Sequence, residues 1–295
     1  MVSFKISERL IRESRYSKAM RGGYILVFLA ASMWGTLGIF AKFLYKFNLS
    51  TYTIIFYRVT FALVFLFIYL KAKGMPILIP RERLKFYIIY AFFSIFLFYS
   101  LYFYTVKISS VSFAVLMLYT APAYSTIFGR LIFKEEITQR KLIAVALVIA
   151  GVLILNSGEI SFTGKAIAVG LASGLTYALY GVFAKMAVNK EEPEQVLFNV
   201  LLIGAIFLLP FTSFKVPLQS VPYLLALAFF PTFLGYILYN RALKSVEVSR
   251  ASVVATIEPV VAMVLAFLIF GEKLTIIQLI GASMIIGGAI LARSE

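Results

Sequence analysis

The sequence contains no cysteine and no histidine. The first absence excludes disulfides, thiolate nucleophiles and cysteine-held zinc sites. The second removes imidazole as a metal or haem ligand, together with the side chain most used for acid–base catalysis near neutral pH. Carboxylates are also few, 13 against 28 lysines and arginines, so a metal site built from carboxylates alone has little to draw on. No Gly-x4-Gly-Lys-Ser/Thr phosphate loop occurs, which removes direct drive by ATP from consideration. No cofactor is expected, no cluster of nucleophile, acid and base is visible, and enzymatic chemistry is not expected.

What the chain has instead is apolar surface. Of its 295 residues 62% are hydrophobic and the mean hydropathy is +0.95, far above the roughly half-apolar balance of soluble domains. Its length is therefore counted in membrane spans of about 20 residues each. Apolar runs fall at 23–44, 51–70, 86–106, 110–132, 139–156, 164–186, 195–213, 221–243, 248–270 and 275–292. They leave no polar stretch long enough for a soluble domain. The first run is too long for a signal-peptide core and no small-residue cleavage site follows it, so it is expected to persist as a helix. The expected fold is an all-α integral membrane protein with ten transmembrane helices.

The net charge of +15 sits between these runs. That placement points to anionic lipid headgroups as the basic residues' neighbours and argues against a nucleic-acid partner. With ten spans, 21 lysines and arginines fall on the face carrying both termini and 6 on the other, with Arg58 left inside a span. The positive-inside rule then puts both termini in the cytoplasm of a multi-pass protein of the cell membrane. Residues 1–22 read as a basic cytoplasmic tail that anchors topology, the alternative being a lipid-contacting helix.

The chain also contains itself twice. Ala91-Phe92-Phe93, Phe96-Leu97, Tyr99, Leu101-Tyr102 and Lys107 return as Ala228-Phe229-Phe230, Phe233-Leu234, Tyr236, Leu238-Tyr239 and Lys244, an offset of 137 that holds through Pro122/Pro259, Glu135/Glu272, Thr138/Thr275 and Gly151/Gly288. Upstream, Gly38-Ile-Phe-Ala-Lys42 is echoed by Gly181-Val-Phe-Ala-Lys185. The halves are taken as 23–156 and 164–292, joined by a linker at 157–163. Five spans per half is an odd number, so the second copy enters the membrane from the opposite face. Such inverted repeats suit alternating access, with the substrate site between them.

Pro122 with Glu135, and Glu258-Pro259-Val260 with Phe270-Gly271-Glu272-Lys273-Leu274-Thr275, resemble the EamA branch of the drug/metabolite transporter superfamily. The glycine-containing spans that close each half, with Gly151 and then Gly281, Gly287 and Gly288, fit the same pattern. The resemblance covers the chain from about residue 22 onward. It implies ten helices, a central cavity between the halves and passage of small metabolites, amino acids and related solutes being frequent clients. Phosphate and nucleotide-sugar carriers of that superfamily rely on intramembrane cations, and here the one deep cation is Arg58. The resemblance therefore implies a neutral or amphipathic small-molecule substrate rather than an organic phosphate.

Several residues stand out as candidates for that site. Tyr99 and Tyr102 share one face of the third span, Tyr236 and Tyr239 repeat it on the eighth, and Trp34 pairs by repeat with Tyr177, one turn before Tyr180. They form either an aromatic-walled cavity or part of the membrane's interfacial belts. Pro122 and Pro259, near the middle of the fourth and ninth spans, read as hinges or as fixed kinks. Glu135 and Glu272 read as caps for the fifth and tenth spans, beside Thr138 and Thr275, with Thr275-x-x-Gln278 in capping-box form. Ala146-x3-Ala150 and Ser283-x3-Gly287 would pack those two spans together, and a homodimer through them is compatible with the sequence. Asn199 serves either packing or substrate. Glu258 and Arg58 are ionisable groups inside spans and count by default as functional. Glu258 has no twin, since Ala121 occupies its place in the first half. It reads as a proton-coupling carboxylate, as the partner of Arg58 in a fixed ion pair, or as a carboxyl hydrogen-bonded near the Pro259 kink. A passive channel and a lipid-handling or intramembrane enzyme are the rival readings of the whole chain.

Overall fold

The computed structural model describes residues 2–156 and 163–293, with side chains from Lys18 onward. The expected linker at 157–163 lies outside the described residues except for Thr163. All regular structure among the described residues is helical. Among the described residues nine helices are long and apolar enough to cross a membrane: Lys18–Tyr45, Thr51–Ala72, Arg81–Ile108, Val111–Phe133, Gly164–Val188, Pro193–Phe211, Leu218–Ala242, Val248–Phe270 and Ile276–Arg293. The remaining span, the fifth in order, is the 17-residue helix Gln139–Leu155. Ten crossings bring both ends of the chain to one face, called here the terminal face; the other is the far face. The basic tail continues the first span as helix, from Val2 to Trp34.

Local chemistry sets most of these limits. Ser50, Ser110, Thr138 and Thr163 each accept a hydrogen bond from the amide three residues on, at 3.1–3.2 Å, which satisfies one of the free N–H groups that open a helix. Thr275 and Gln278 make the reciprocal capping box, Gln278 N–H to Thr275 Oγ1 at 3.2 Å and Thr275 N–H to Gln278 Oε1 at 3.0 Å. Pro193 opens the seventh span, where its missing N–H is not needed.

Five spans depart from regular rods, and they do so as repeat-related pairs with one exception. The fourth span is two helices, Val111–Leu118 and Ala121–Phe133, interrupted at Tyr119-Thr120. The ninth is likewise Val248–Ala255 and Glu258–Phe270, interrupted at Thr256-Ile257. Pro122 and Pro259 thus sit in the first turn of a new helix, not within a bent one as expected, so their missing amides disturb no interior bond. The third and eighth spans each contain a π-helical stretch, Phe92–Leu97 and Ala228–Leu234. In the eighth, Thr232 Oγ1 donates to the Leu227 carbonyl five residues back, at 2.9 Å. The exception is the first span, which breaks at Gly35-Thr36 before the helix Leu37–Tyr45.

The fifth and tenth spans pack against each other closely enough for backbone to meet backbone at two glycines. A Cβ on Gly151 would lie 2.7 Å from the Gly281 carbonyl, and one on Gly281 would lie 2.7 Å from the Gly151 carbonyl. This is the pairing the small-residue patterns suggested, but through a different face. Ser283 and Gly287 point away from it, lining an apolar groove with Leu147, Ile276 and Leu279. The main hydrophobic core draws residues from all ten spans.

Candidate functional site

The two interrupted spans meet the first and sixth spans of the opposite register at close range. Gly35 leaves room for the ninth-span break, where a Cβ would lie 2.8 Å from Val261 and 3.0 Å from the Glu258 carbonyl. Gly174 does the same for the fourth-span break, where a Cβ would lie 2.5 Å from the Met117 carbonyl. Each break leaves backbone groups without their helical partners, and irregular backbone at membrane depth is tolerated only where protein or a wet cavity covers it. Glu258 occupies the first turn of the second half-helix, where the helix dipole favours a carboxylate.

Around Glu258 the aromatic residues gather from both halves. Trp34 lies 5.2 Å from Tyr236 and 5.1 Å from Tyr239, ring centre to ring centre. Tyr180 lies 4.9 Å from Tyr236, and Tyr177 stacks on Phe98 at 5.2 Å and 28°. Tyr99 touches Phe98 at 4.7 Å. The π turns in the third and eighth spans immediately precede Tyr99 and Tyr236, and an extra residue per turn resets the face that follows. Trp34, Tyr99, Tyr180 and Tyr236 are buried, whereas Tyr102, Tyr177 and Glu258 are half-buried.

Polar contacts run through this wall. Arg58 Nη2 donates to the Tyr99 hydroxyl, and its guanidinium carbon lies 5.1 Å from the same ring. The Tyr180 hydroxyl donates to Asn240 Oδ1 at 3.0 Å. Glu258 lies beside the Tyr119 hydroxyl, within electrostatic reach of Arg58 and of Tyr102 and Tyr177. No Arg58–Glu258 salt bridge occurs among the described residues, which corrects the reading of a fixed ion pair. Three buried donors of the cluster, Trp34 Nε1, Arg58 Nε and Asn240 Nδ2, have no acceptor among the described residues. A buried donor left without a partner is unfavourable, and its pairing by an incoming acceptor is what a binding site supplies.

Of the residues singled out from sequence, Trp34, Arg58, Tyr99, Tyr102, Tyr177, Tyr180, Tyr236 and Glu258 are brought together. Asn199 is not. Its amide donates to the Ile77 carbonyl at 2.8 Å and accepts from the Ile79 amide at 3.4 Å, so it holds the loop between the second and third spans at the terminal face. Gln195 helps, donating to the Leu78 carbonyl at 2.8 Å. Tyr119 and Asn240 went unnoticed in the sequence. For Tyr119 a signal existed, since it precedes Pro122 as Thr256 precedes Pro259. Among the described residues no group of acidic side chains could hold a metal ion.

Glu135 also serves a different helix from the one expected. It accepts from the Val248 amide at 2.7 Å, the Ser249 amide at 3.2 Å and the Ser249 hydroxyl. It therefore caps the ninth span across the repeat boundary, while Thr138 caps the fifth.

Comparison with known proteins agrees with this architecture. The sequence profile of the EamA-like transporter family matches residues 21–157 and again 164–294. An uncharacterized transporter of Archaeoglobus fulgidus is 30% identical over 281 residues, 94% of this chain and 98% of its own. A probable amino-acid metabolite efflux pump of Salmonella typhimurium is 29% identical over 195 residues, 59% of this chain and 64% of its own. A crystal structure with 17% identity overlays at a TM-score of 0.78, covering 92% of this chain and 96% of that one, which speaks to the fold alone. With both halves matched by one profile, the chain belongs to the EamA-like transporter family.

Proposed function

We propose that this protein is a secondary transporter carrying small organic metabolites, amino acids or related solutes, across the cytoplasmic membrane by alternating access, with the terminal face in the cytoplasm. The observation that carries the reading is the cluster itself. Aromatic faces from both halves, three buried donors without acceptors among the described residues, and one twinless carboxylate converge where two spans are broken. Such a wall grips an apolar body by stacking and orients its polar end by hydrogen bonds. The similarity to a probable amino-acid metabolite efflux pump of Salmonella typhimurium favours the same class of solute. The charge split of 21 to 6 supports the orientation.

The test is flux through vesicles holding the purified protein, with a panel of labelled amino acids and related metabolites. A carrier is expected to saturate and to exchange labelled for unlabelled solute, whereas linear flux without exchange would favour a passive channel. Glu258→Gln is expected to impair transport. Loss of pH-gradient-driven uptake with exchange retained assigns proton coupling to Glu258; loss of both assigns solute binding. Wild-type behaviour in both assays removes it from the site.

A further inference from the structure

Each repeat carries a glutamate just past its fourth span and a lysine near the end of its first, and the two sets are engaged differently. At the terminal face Glu135 of the first repeat reaches the opening of the ninth span, as described above. Lys134, at a left-handed φ of 58°, turns the chain so that the glutamate can do this. Gly129 keeps the path clear, since a Cβ there would lie 2.5 Å from Glu135 Oε2. Lys185 of the second repeat completes the clasp from the carbonyl side, donating to Leu243 O at 2.5 Å and Val246 O at 2.8 Å. A carboxylate thus meets the amides that open the ninth span, and an ammonium meets carbonyls at the end of the eighth, the charges each helix end favours.

The far face holds the same parts, undone. The turn between the third and fourth spans carries Val111-Ser112 where the terminal-face turn carries Val248-Ser249. Gly271, at φ 67°, stands where Lys134 does, and Glu272 follows it. Yet Glu272 pairs with Lys42, the counterpart of Lys185, at 3.1 Å, and the Lys42 ammonium lies 3.8 Å above the Phe270 ring. The Glu135 side chain belongs to a residue 7% exposed, while that of Glu272 is 56% exposed. Val248 is fully covered and Val111 is 60% exposed. At the terminal face the glutamate and the lysine hold the turn between spans; at the far face they hold each other.

We propose that Lys185–Glu135 and Lys42–Glu272 are two alternating latches of one transport cycle. When the far face closes, Glu272 leaves Lys42 and accepts from the Val111 and Ser112 amides, while Lys42 turns to the carbonyls of Val106 and Ser109. Glu135 and Lys185 then release the turn at 243–249. The exposed Lys42–Glu272 pair is the parked form of the far latch, and a solvated ion pair of that kind yields readily. This inference rests on the alternating-access reading of the preceding subsection, but its test needs no solute.

Because the chain has no cysteine, Val111→Cys and Val248→Cys serve singly as reporters of the far and terminal latches in purified protein. In the parent background, Val111→Cys should react with a polar maleimide and Val248→Cys should be protected. Adding Glu272→Gln should slow labelling of Val248→Cys, at the opposite face, and leave Val111→Cys fully reactive. Glu135→Gln should do the reverse, speeding Val248→Cys and slowing Val111→Cys, each by roughly five- to tenfold for the charge-assisted bonds lost. The double variant Lys42→Glu/Glu272→Lys keeps an ion pair but puts an ammonium where amides need an acceptor, so it should behave as Glu272→Gln. Glu272 is solvent-exposed, so its variants test the proposal even where Glu135→Gln fails to fold. Effects confined to the mutated face, or a charge swap that labels like the parent, would overturn the proposal. Opposite-face shifts in a protein that exchanges no solute would instead sink the transporter reading and leave the latches standing.

Discussion

Arg58 is a buried guanidinium whose hydrogen-bonded partner is a phenol, not a carboxylate. Tyr99→Phe removes that acceptor and leaves a charge with less compensation. The expected cost is about 1.5–3 kcal/mol, the range for hydrogen bonds to charged groups, read as a lower unfolding temperature in detergent. Truncation to Tyr99→Ala or Tyr236→Ala should also weaken solute affinity roughly two- to tenfold through lost ring contacts. Val64→Ala, on the exposed side of the second span, is the control that should leave affinity unchanged. Its neighbour Phe65 would be a poor control, because its ring packs on Phe229 at 5.3 Å. The repeat made Trp34, Tyr99, Tyr177 and Tyr236 legible, since twinned aromatics on equivalent faces are visible in the text of the sequence. Tyr119 has Thr256 as its twin, so the same device passed over it. Asn199 was ambiguous for a physical reason: an amide within an apolar run looks alike whether its partner is a solute or, as here, the backbone of a neighbouring loop.

At the scale of elements, the contact between the fifth and tenth spans has no spare room. Gly151→Val should push the Gly281 carbonyl away and destabilise the fold by about 1–3 kcal/mol, the usual cost of overpacking. Gly287→Ala meets nothing within 4 Å and should stay within about 0.5 kcal/mol of the parent. Thermal unfolding of the two variants side by side checks the assignment of faces; equal destabilisation would refute it. The limits of most spans were readable to within a few residues, because capping hydroxyls and apolar runs report directly on helix ends. The interruptions were not. A helix that stops and restarts within one apolar run keeps the same hydropathy, so Tyr119-Thr120 and Thr256-Ile257 leave no trace beyond the proline that follows. The π turns before Tyr99 and Tyr236 are hidden likewise, because one extra residue per turn disturbs only a periodicity that an all-apolar segment never displays.

For the whole molecule, inverted halves make a sidedness prediction. Single cysteines introduced by Glu136→Cys and Lys273→Cys should react with an impermeant reagent from opposite sides of intact cells, the first only from the cytoplasm. Reaction of both from one side would refute the inverted arrangement. The duplication that predicts this was plain in the sequence, whereas the unequal engagement of its two copies was not, because both copies carry the same glutamate and lysine. One further inequality follows from residues around the terminal latch. Lys141, buried in the fifth span, donates to Glu247 at 3.0 Å, and Arg250 meets the same carboxylate at 2.7 Å. Their counterparts by repeat are Gln278, Ser110 and Phe113, none of them charged. In the proposed cycle the terminal latch thus holds contacts that the far latch lacks, which predicts a resting bias toward far-side access. A resting bias cannot set the direction of net flux, which the solute and any coupled gradient determine. It does set what each compartment experiences: a solute arriving at the far side finds the site ready, and one arriving at the terminal side must wait for a minor population. Half-saturation should consequently be reached at lower concentration from the far side than from the terminal side, so the proposed cycle, though built from two copies of one design, would be kinetically lopsided.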